Sequence, residues 1–400
     1  MKTFLAFILS ANTICFFNST AAQPANRKIN VGESFTIHSN ILNEDRTVLV
    51  YLPEGYSESN ESYPVLYLTD GETHLIHTGG DVSFLSSPGI DYMPKLIIVG
   101  ITNTNRARDL TPAPLHGTDS QFPDGGGADK FLSFIISELK PAVNSNYRTS
   151  PFEILAGTSL GGLFTINTFI NNPKAFNAFF AISPALWWDK KEVVTKADLL
   201  LQKPITKNEF LYFTLCSGDS KELQESTQQF QAILKKRNQD SLRWQTKFID
   251  DETHNSSPLL GYYAACKFLY AKWHLDSVNN LTDLEHHYIS LSNQYGYKIN
   301  IPENEINGLG YQLLFSGKAD DAIFVFKKNV DNFPADPNVY DSMGDAYKIA
   351  GKLDLAKMNY EKGCELGKKQ NSTNASSYCN NLNEVRKLIN NKSQSAIKKF

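Results

Sequence analysis

Between residues 33 and 273, short apolar runs alternate with segments whose apolar residues recur every three or four positions. The runs at 35–41, 47–52, 65–69, 96–101, 152–156, 178–182, 210–216 and 244–249 have strand length and end in turn-forming residues. Helical spacing occupies 129–139, 160–170, 222–235 and 259–273. The later runs are apolar throughout instead of alternating, as expected of strands in a sheet covered on both faces. Strands separated by helices predict an α/β class with a mostly parallel sheet. The first two runs lie too close for a helical crossover, so they predict an antiparallel start to the same sheet.

After Trp273 the strand signals stop and helix formers and charge increase. Gly310 and Gly344, Gly317 and Gly351, Ala322 and Ala356, and Phe326 and Tyr360 are each 34 residues apart. That is the tetratricopeptide period, a helix–turn–helix unit in which small residues let the helices approach. Two units are fewer than the three such arrays need, so flanking helices at 284–293 and 382–389 are expected to cap them. The predicted organisation is a leader at 1–22, an α/β domain at 30–275, a helical tetratricopeptide-like domain at 280–391 and a frayed tail at 392–400. A protein partner is one use for such repeats.

Composition narrows the function classes. The 400 residues carry a net charge of -3, and the pI is near 6.3, so nothing points to nucleic acid or an acidic membrane surface. The 25 Phe and 18 Tyr suit a large core. Lys2 opens a leader whose apolar stretch at 3–17 is too short to span a bilayer, and Ser19 to Ala22 offers small residues for cleavage after Ala22. The expectation is export, to a periplasm or the outside, with no membrane span. Cys216 and Cys266 lie in apolar runs and read as core thiols, while Cys364 and Cys379 have the option of a disulfide in an oxidising compartment. No zinc-type spacing occurs, and neither a metal nor a cofactor is expected.

The candidate chemistry centres on Gly157-Thr158-Ser159-Leu160-Gly161, placed between a buried strand and a helix. A strand that reverses into a helix through G-x-S-x-G exposes the Ser hydroxyl above the sheet, at a helix N-terminus whose free N–H groups favour an oxyanion. Such a Ser needs a base and an acid, in the chain order Ser, acid, His. His254 follows the last strand in a loop and fits the base. Asp219, just after the strand at 210–216, fits the acid, and Glu222 is the alternative, although a Glu there also suits the start of a helix. The oxyanion donors are expected from Leu160 and from Gly71 or Glu72, after the strand at 65–69. Arg106 and Arg108 follow another strand end and either bind a substrate anion or hold the loop by salt bridges. Trp187 and Trp188 either stack on a substrate ring, or one belongs to the core and the other lines the cleft.

The motifs at 63–71, 99–101 leading into 106–112, 156–162 and 183–188, together with His254, resemble the Putative esterase family of α/β hydrolases, which includes esterase D-type, feruloyl and enterobactin–salmochelin esterases. The resemblance covers about 33–273 and implies the α/β-hydrolase fold. It also implies carboxylic ester hydrolysis through an acyl-enzyme, with Ser159 as nucleophile and His254 as base. Members differ in the acid, and some work with a Ser–His pair. The implied substrate is a small-molecule or carbohydrate-linked ester: a siderophore, a feruloylated or acetylated polysaccharide, or a xenobiotic. Two other readings use the same residues differently: an acyltransferase, and a non-catalytic scaffold that binds partners through the repeats.

Overall fold

The structure is a computed structural model that describes residues 31–117, 121–202, 209–237, 241–275 and 277–397. The expected leader lies outside the described residues. All eight apolar runs form strands: β1 (Glu33–Ser39), β2 (Glu44–Tyr51), β3 (Tyr63–Thr69), β4 (Ile97–Ile101), β5 (Thr149–Thr158), β6 (Ala178–Ile182), β7 (Glu209–Gly218) and β8 (Leu242–Thr253). They make one sheet in the order β1-β2-β4-β3-β5-β6-β7-β8. β2 runs antiparallel to β1 and β4, and the strands from β4 through β8 pair in parallel.

The helices are α1 (Gly71–Leu85), α2 (Arg106–Leu110), α3 (Ala128–Phe134), α4 (Lys140–Asn146), α5 (Leu160–Asn171), α6 (Trp188–Leu200), α7 (Lys221–Arg237) and α8 (Ser257–Leu269). Alternate residues of each strand face opposite layers. Val65, Tyr67 and Leu155 join a core with Phe131, Phe164, Val193 and Phe230, from α3, α5, α6 and α7. Leu66, Leu68 and Ile154 join the other core with Val82 of α1 and Cys266 of α8. α1 is a crossover helix that the periodicity did not indicate. Its first turn presses on β4 so closely that a Cβ on Gly71 would meet the Gly100 carbonyl carbon at 2.4 Å.

The remaining helices are α9 (Leu281–Tyr295), α10 (Glu303–Phe315), α11 (Ala319–Asn332), α12 (Pro337–Ile349), α13 (Leu353–Lys369) and α14 (Ala375–Ile397). α9 belongs to the core of the sheet, since Leu284, Tyr288, Leu291 and Tyr295 are buried in the same cluster as Leu66 and Ile154. The Tyr295 ring stacks on Phe210 at 5.9 Å and meets Phe152 edge-on at 5.3 Å. Gly32–Phe400 forms a single compact unit. In the hairpin of α10 and α11, Gly310 leaves room for the Phe326 ring, and in that of α12 and α13, Gly344 leaves room for Tyr360. A Cys364–Cys379 disulfide ties α13 to α14. The tail expected to fray from 392 is instead helical as far as Ile397.

Candidate active site

Residues 157–161 form a strand-to-helix corner. Ser159 sits at φ 59° and ψ -115°, a strained backbone for a residue with a side chain. Three hydrogen bonds hold it there: Ser159 N–H donates to Ile182 O at 3.0 Å, and the N–H groups of Leu163 and Ala185 donate to Ser159 O at 2.9 and 3.0 Å. The corner is tight, because a Cβ on Gly161 would meet Thr69 Oγ1 at 2.3 Å. Ser159 is half-buried between buried Thr158 and Leu160. Its side chain makes no capping bond to α5, so the hydroxyl is not spent on the helix.

The corner, Asp219 and His254 stand at the carboxyl ends of the parallel strands β5, β7 and β8, the end where α/β sheets collect ligands. His254 Nδ1 lies 2.6 Å from Asp219 Oδ1. The Asp219 side chain has no solvent exposure, whereas that of His254 retains 30%. Asp219 Oδ2 accepts the Cys216 N–H at 2.7 Å. Burial pushes the Asp219 carboxyl up, but the bonds from His254 and Cys216 outweigh it and hold the group below the usual carboxylate range. Glu222, the alternative acid, is exposed in the first turn of α7. The His254 ring therefore engages Asp219, and the dipole role accounts for Glu222.

Leu160 is the first residue of α5 and Gly71 the first of α1. The N–H groups of a first helical turn have no intrahelical acceptor, so both amides are free of helical duty. Asp70, which caps α1 at φ 55°, is buried. Its carboxylate takes Arg106 Nε at 2.5 Å, Arg106 Nη2 at 3.0 Å and Asn103 Nδ2 at 2.7 Å. Arg106 Nη2 also reaches Thr158 O at 3.3 Å. One guanidinium thus spans the two loops that carry Gly71 and Ser159.

A family model described as Putative esterase matches residues 39–258. The chain belongs to this family. Among its relatives, the ferri-bacillibactin esterase BesA of Bacillus subtilis is 27% identical over 198 residues, covering 44% of this chain and 67% of that protein. A siderophore enterobactin esterase of Emericella nidulans is 34% identical over 111 residues, covering 24% of this chain and 35% of that protein. The crystal structure of an IroE-like serine hydrolase from Shewanella oneidensis is 28% identical with a TM-score of 0.68, covering 76% of this chain and 99% of its own. The chain spans about a third of the Emericella protein's length and two thirds of the Bacillus protein's. This esterase is a carboxylic ester hydrolase.

The esterase uses its arginines as structural ties. Arg106 is committed to Asp70, as above. Arg108 donates to both Glu44 oxygens at 2.6 and 3.0 Å and to Asp109 at 2.7 Å, and Arg46 joins the same carboxylates at 2.8 and 2.6 Å. The hydrogen bond from Arg108 is the main cause that lowers the Glu44 carboxyl. All three guanidinium nitrogens of Arg108 donate to carboxylates, so for Arg108 as for Arg106 the salt bridge is the observed role. Trp188 corrects the stacking reading and fits the core one: it is buried, and its Nε1 donates to Pro112 O at 3.2 Å. Trp187 is half-buried, with its ring centre 6.3 Å from that of Phe122 and 6.4 Å from that of Trp188. Sequence reasoning missed Asn103 and the structural weight of Asp70. An Asp-Gly at a strand end was the available signal for Asp70, and it reads equally as a turn.

Among the described residues, no group of three or more metal-ligating side chains is placed to hold an ion. No described helix is long and apolar enough to cross a membrane.

Proposed function

We propose that the esterase hydrolyses a siderophore ester through an acyl-enzyme. The observation that carries the proposal is the 2.6 Å contact between His254 Nδ1 and Asp219, at the same end of the sheet as a strained, half-buried Ser159. With Nδ1 committed to the carboxylate, the imidazole presents Nε2 as an acceptor for the Ser159 proton. Ser159 Oγ attacks the ester carbonyl, and the oxyanion is stabilised by the amides of Leu160 and Gly71. His254 returns the proton to the leaving alkoxide, and water, activated by the same base, frees the acid. Similarity to bacterial and fungal siderophore esterases supports this substrate class over polysaccharide or xenobiotic esters. Trp187 offers a ring face for an aromatic substrate group. We read α10–α13 as two tetratricopeptide-like units capped by α9 and α14, open to a protein partner. The Cys364–Cys379 disulfide supports an oxidising location.

The test is a panel of ferric siderophore, feruloyl and p-nitrophenyl acyl esters against wild type and Ser159→Ala. The expected result is highest kcat/KM on a siderophore ester and a loss on the order of a thousandfold or more in the variant. Undiminished turnover by Ser159→Ala would remove Ser159 as nucleophile. A stronger preference for feruloyl esters would overturn the substrate assignment alone.

A further inference from the structure

Ser183 follows β6 at the same end of the sheet, between the strands that carry Ser159 and Asp219. It is completely buried, with φ at 42°. A residue with a Cβ pays for that conformation, and Pro184 directly after it restricts the backbone further. Glycine would occupy the position without strain, so the retained side chain calls for an explanation. Its N–H donates to Thr214 Oγ1 at 3.1 Å, which fixes the turn. Its hydroxyl lies 3.4 Å from Ser257 Oγ and 4.0 Å from Cys216 Sγ. Each neighbour leads to a candidate catalytic group. Cys216 N–H donates to Asp219 Oδ2 at 2.7 Å, and Ser257 Oγ donates to the His254 carbonyl at 3.3 Å. The hydroxyl is also among the groups that favour the ionised Asp219.

We propose that Ser183 is a positioning residue, whose buried hydroxyl braces, through Cys216, the turn that holds the Asp219 carboxylate on one side and, through Ser257, the start of the His254 loop on the other. It touches no substrate. It acts by keeping Asp219 Oδ1 turned to Nδ1, and with it the ring orientation that catalysis needs. A rotation of either group would leave the fold intact and misdirect the base. The inference rests on the proposed role of Asp219 as the orienting acid.

The experiment compares Ser183→Gly and Ser183→Ala in the full chain, alone and combined with Asp219→Asn, by kcat, KM and melting temperature on one ester. Ser183→Gly relieves the positive φ, so its melting temperature should hold or rise while kcat falls about tenfold, the scale of losing one buried hydrogen bond. KM should not change. In the Asp219→Asn background the same substitution should cost almost nothing further, because Ser183 acts only by orienting the Asp219–His254 pair. Full kcat in both single variants overturns the inference while leaving the catalytic reading in place. An undiminished tenfold loss on top of Asp219→Asn also overturns it, because Ser183 would then act elsewhere. If Asp219→Asn is itself silent, the catalytic reading fails first, and the positioning role goes with it.

Discussion

Ser159 is held by three backbone bonds at a conformation few side chains adopt, while its hydroxyl is left out of the helix cap. That division, rigid backbone and uncommitted oxygen, is what a nucleophile requires. The orienting acid is the residue-scale question. Neutralising Asp219 as Asp219→Asn removes the acceptor that fixes the His254 tautomer and should lower kcat by several orders of magnitude, whereas Glu222→Gln should be close to neutral. Steady-state kinetics of the two variants side by side decide it, and equal, mild effects would mean a Ser–His pair. The same bond has a stability consequence. The folded Asp219 carboxyl lies below its ordinary value, so its contribution is present above the unfolded value and disappears only as the pH falls through the lower folded one. Much of this arrangement was legible. A G-x-S-x-G after an apolar run and a His in the loop after the last strand are local patterns. The choice between Asp219 and Glu222 was not legible, because both lie within reach of a strand end and only the turn after β7 decides which one faces the imidazole. For Arg106 and Trp188 the sequence left two readings open for a related reason: it shows a side chain's chemistry and not whether a partner already uses it.

At the scale of elements, the strands were found as apolar runs, and α1 was not found. Its sequence carries Gly79, Gly80 and two β-branched Thr, all weak helix formers. Tertiary packing against β4 and α8 overrides that propensity. α14 shows the converse case. A polar stretch that invited fraying is held as the last helix of a disulfide-tied pair. α1 also buries an acid that it does not satisfy. Asp81 Oδ2 has no hydrogen-bond partner among the described residues, and burial raises its carboxyl from 3.8 to about 7. The unfolded chain loses this proton near the lower value and the folded chain near the higher one. Folding stability therefore falls as the pH rises through that window, moderated by solvent at the half-exposed edge. Asp81→Asn should raise the melting temperature by a few degrees at about pH 8 and change it little at about pH 4, as thermal melts at both pH values would show. The disulfide closes a loop of 15 residues, for which the chain-entropy estimate is about 3 kcal/mol. A reductant should lower the melting temperature while leaving turnover of a small ester unchanged, since Ser159, Asp219 and His254 all precede α9.

At the scale of the whole molecule, the change in sequence character near residue 275 suggested two domains, and one hydrophobic core runs across that boundary. α9 begins the helical region and also completes the core beneath β5, β6 and β7, through Tyr295 on Phe152 and Phe210. Periodicity cannot show this, because an amphipathic helix reads the same whether its apolar stripe meets a helix or a sheet. Buried aromatic and aliphatic side chains are each worth about 1.5–3 kcal/mol. Removing Leu284, Tyr288, Leu291 and Tyr295 together would then approach the whole stability of a domain, about 5–15 kcal/mol. Two truncations separate the alternatives. A chain ending after α9 at Gly296 keeps those side chains and should remain soluble, with small-ester turnover near that of the full chain. A chain ending before α9, near residue 279, exposes Phe152 and Phe210 and should aggregate or melt many degrees lower. Expression yield, melting temperature and small-ester kcat of the two shortened chains provide the measurement. If the shorter chain is as stable and active as the longer one, α9 is dispensable to the hydrolase core. If the longer chain is folded but inactive, helices beyond α9 contribute to the active site, and the division of labour between sheet and helical extension has to be redrawn.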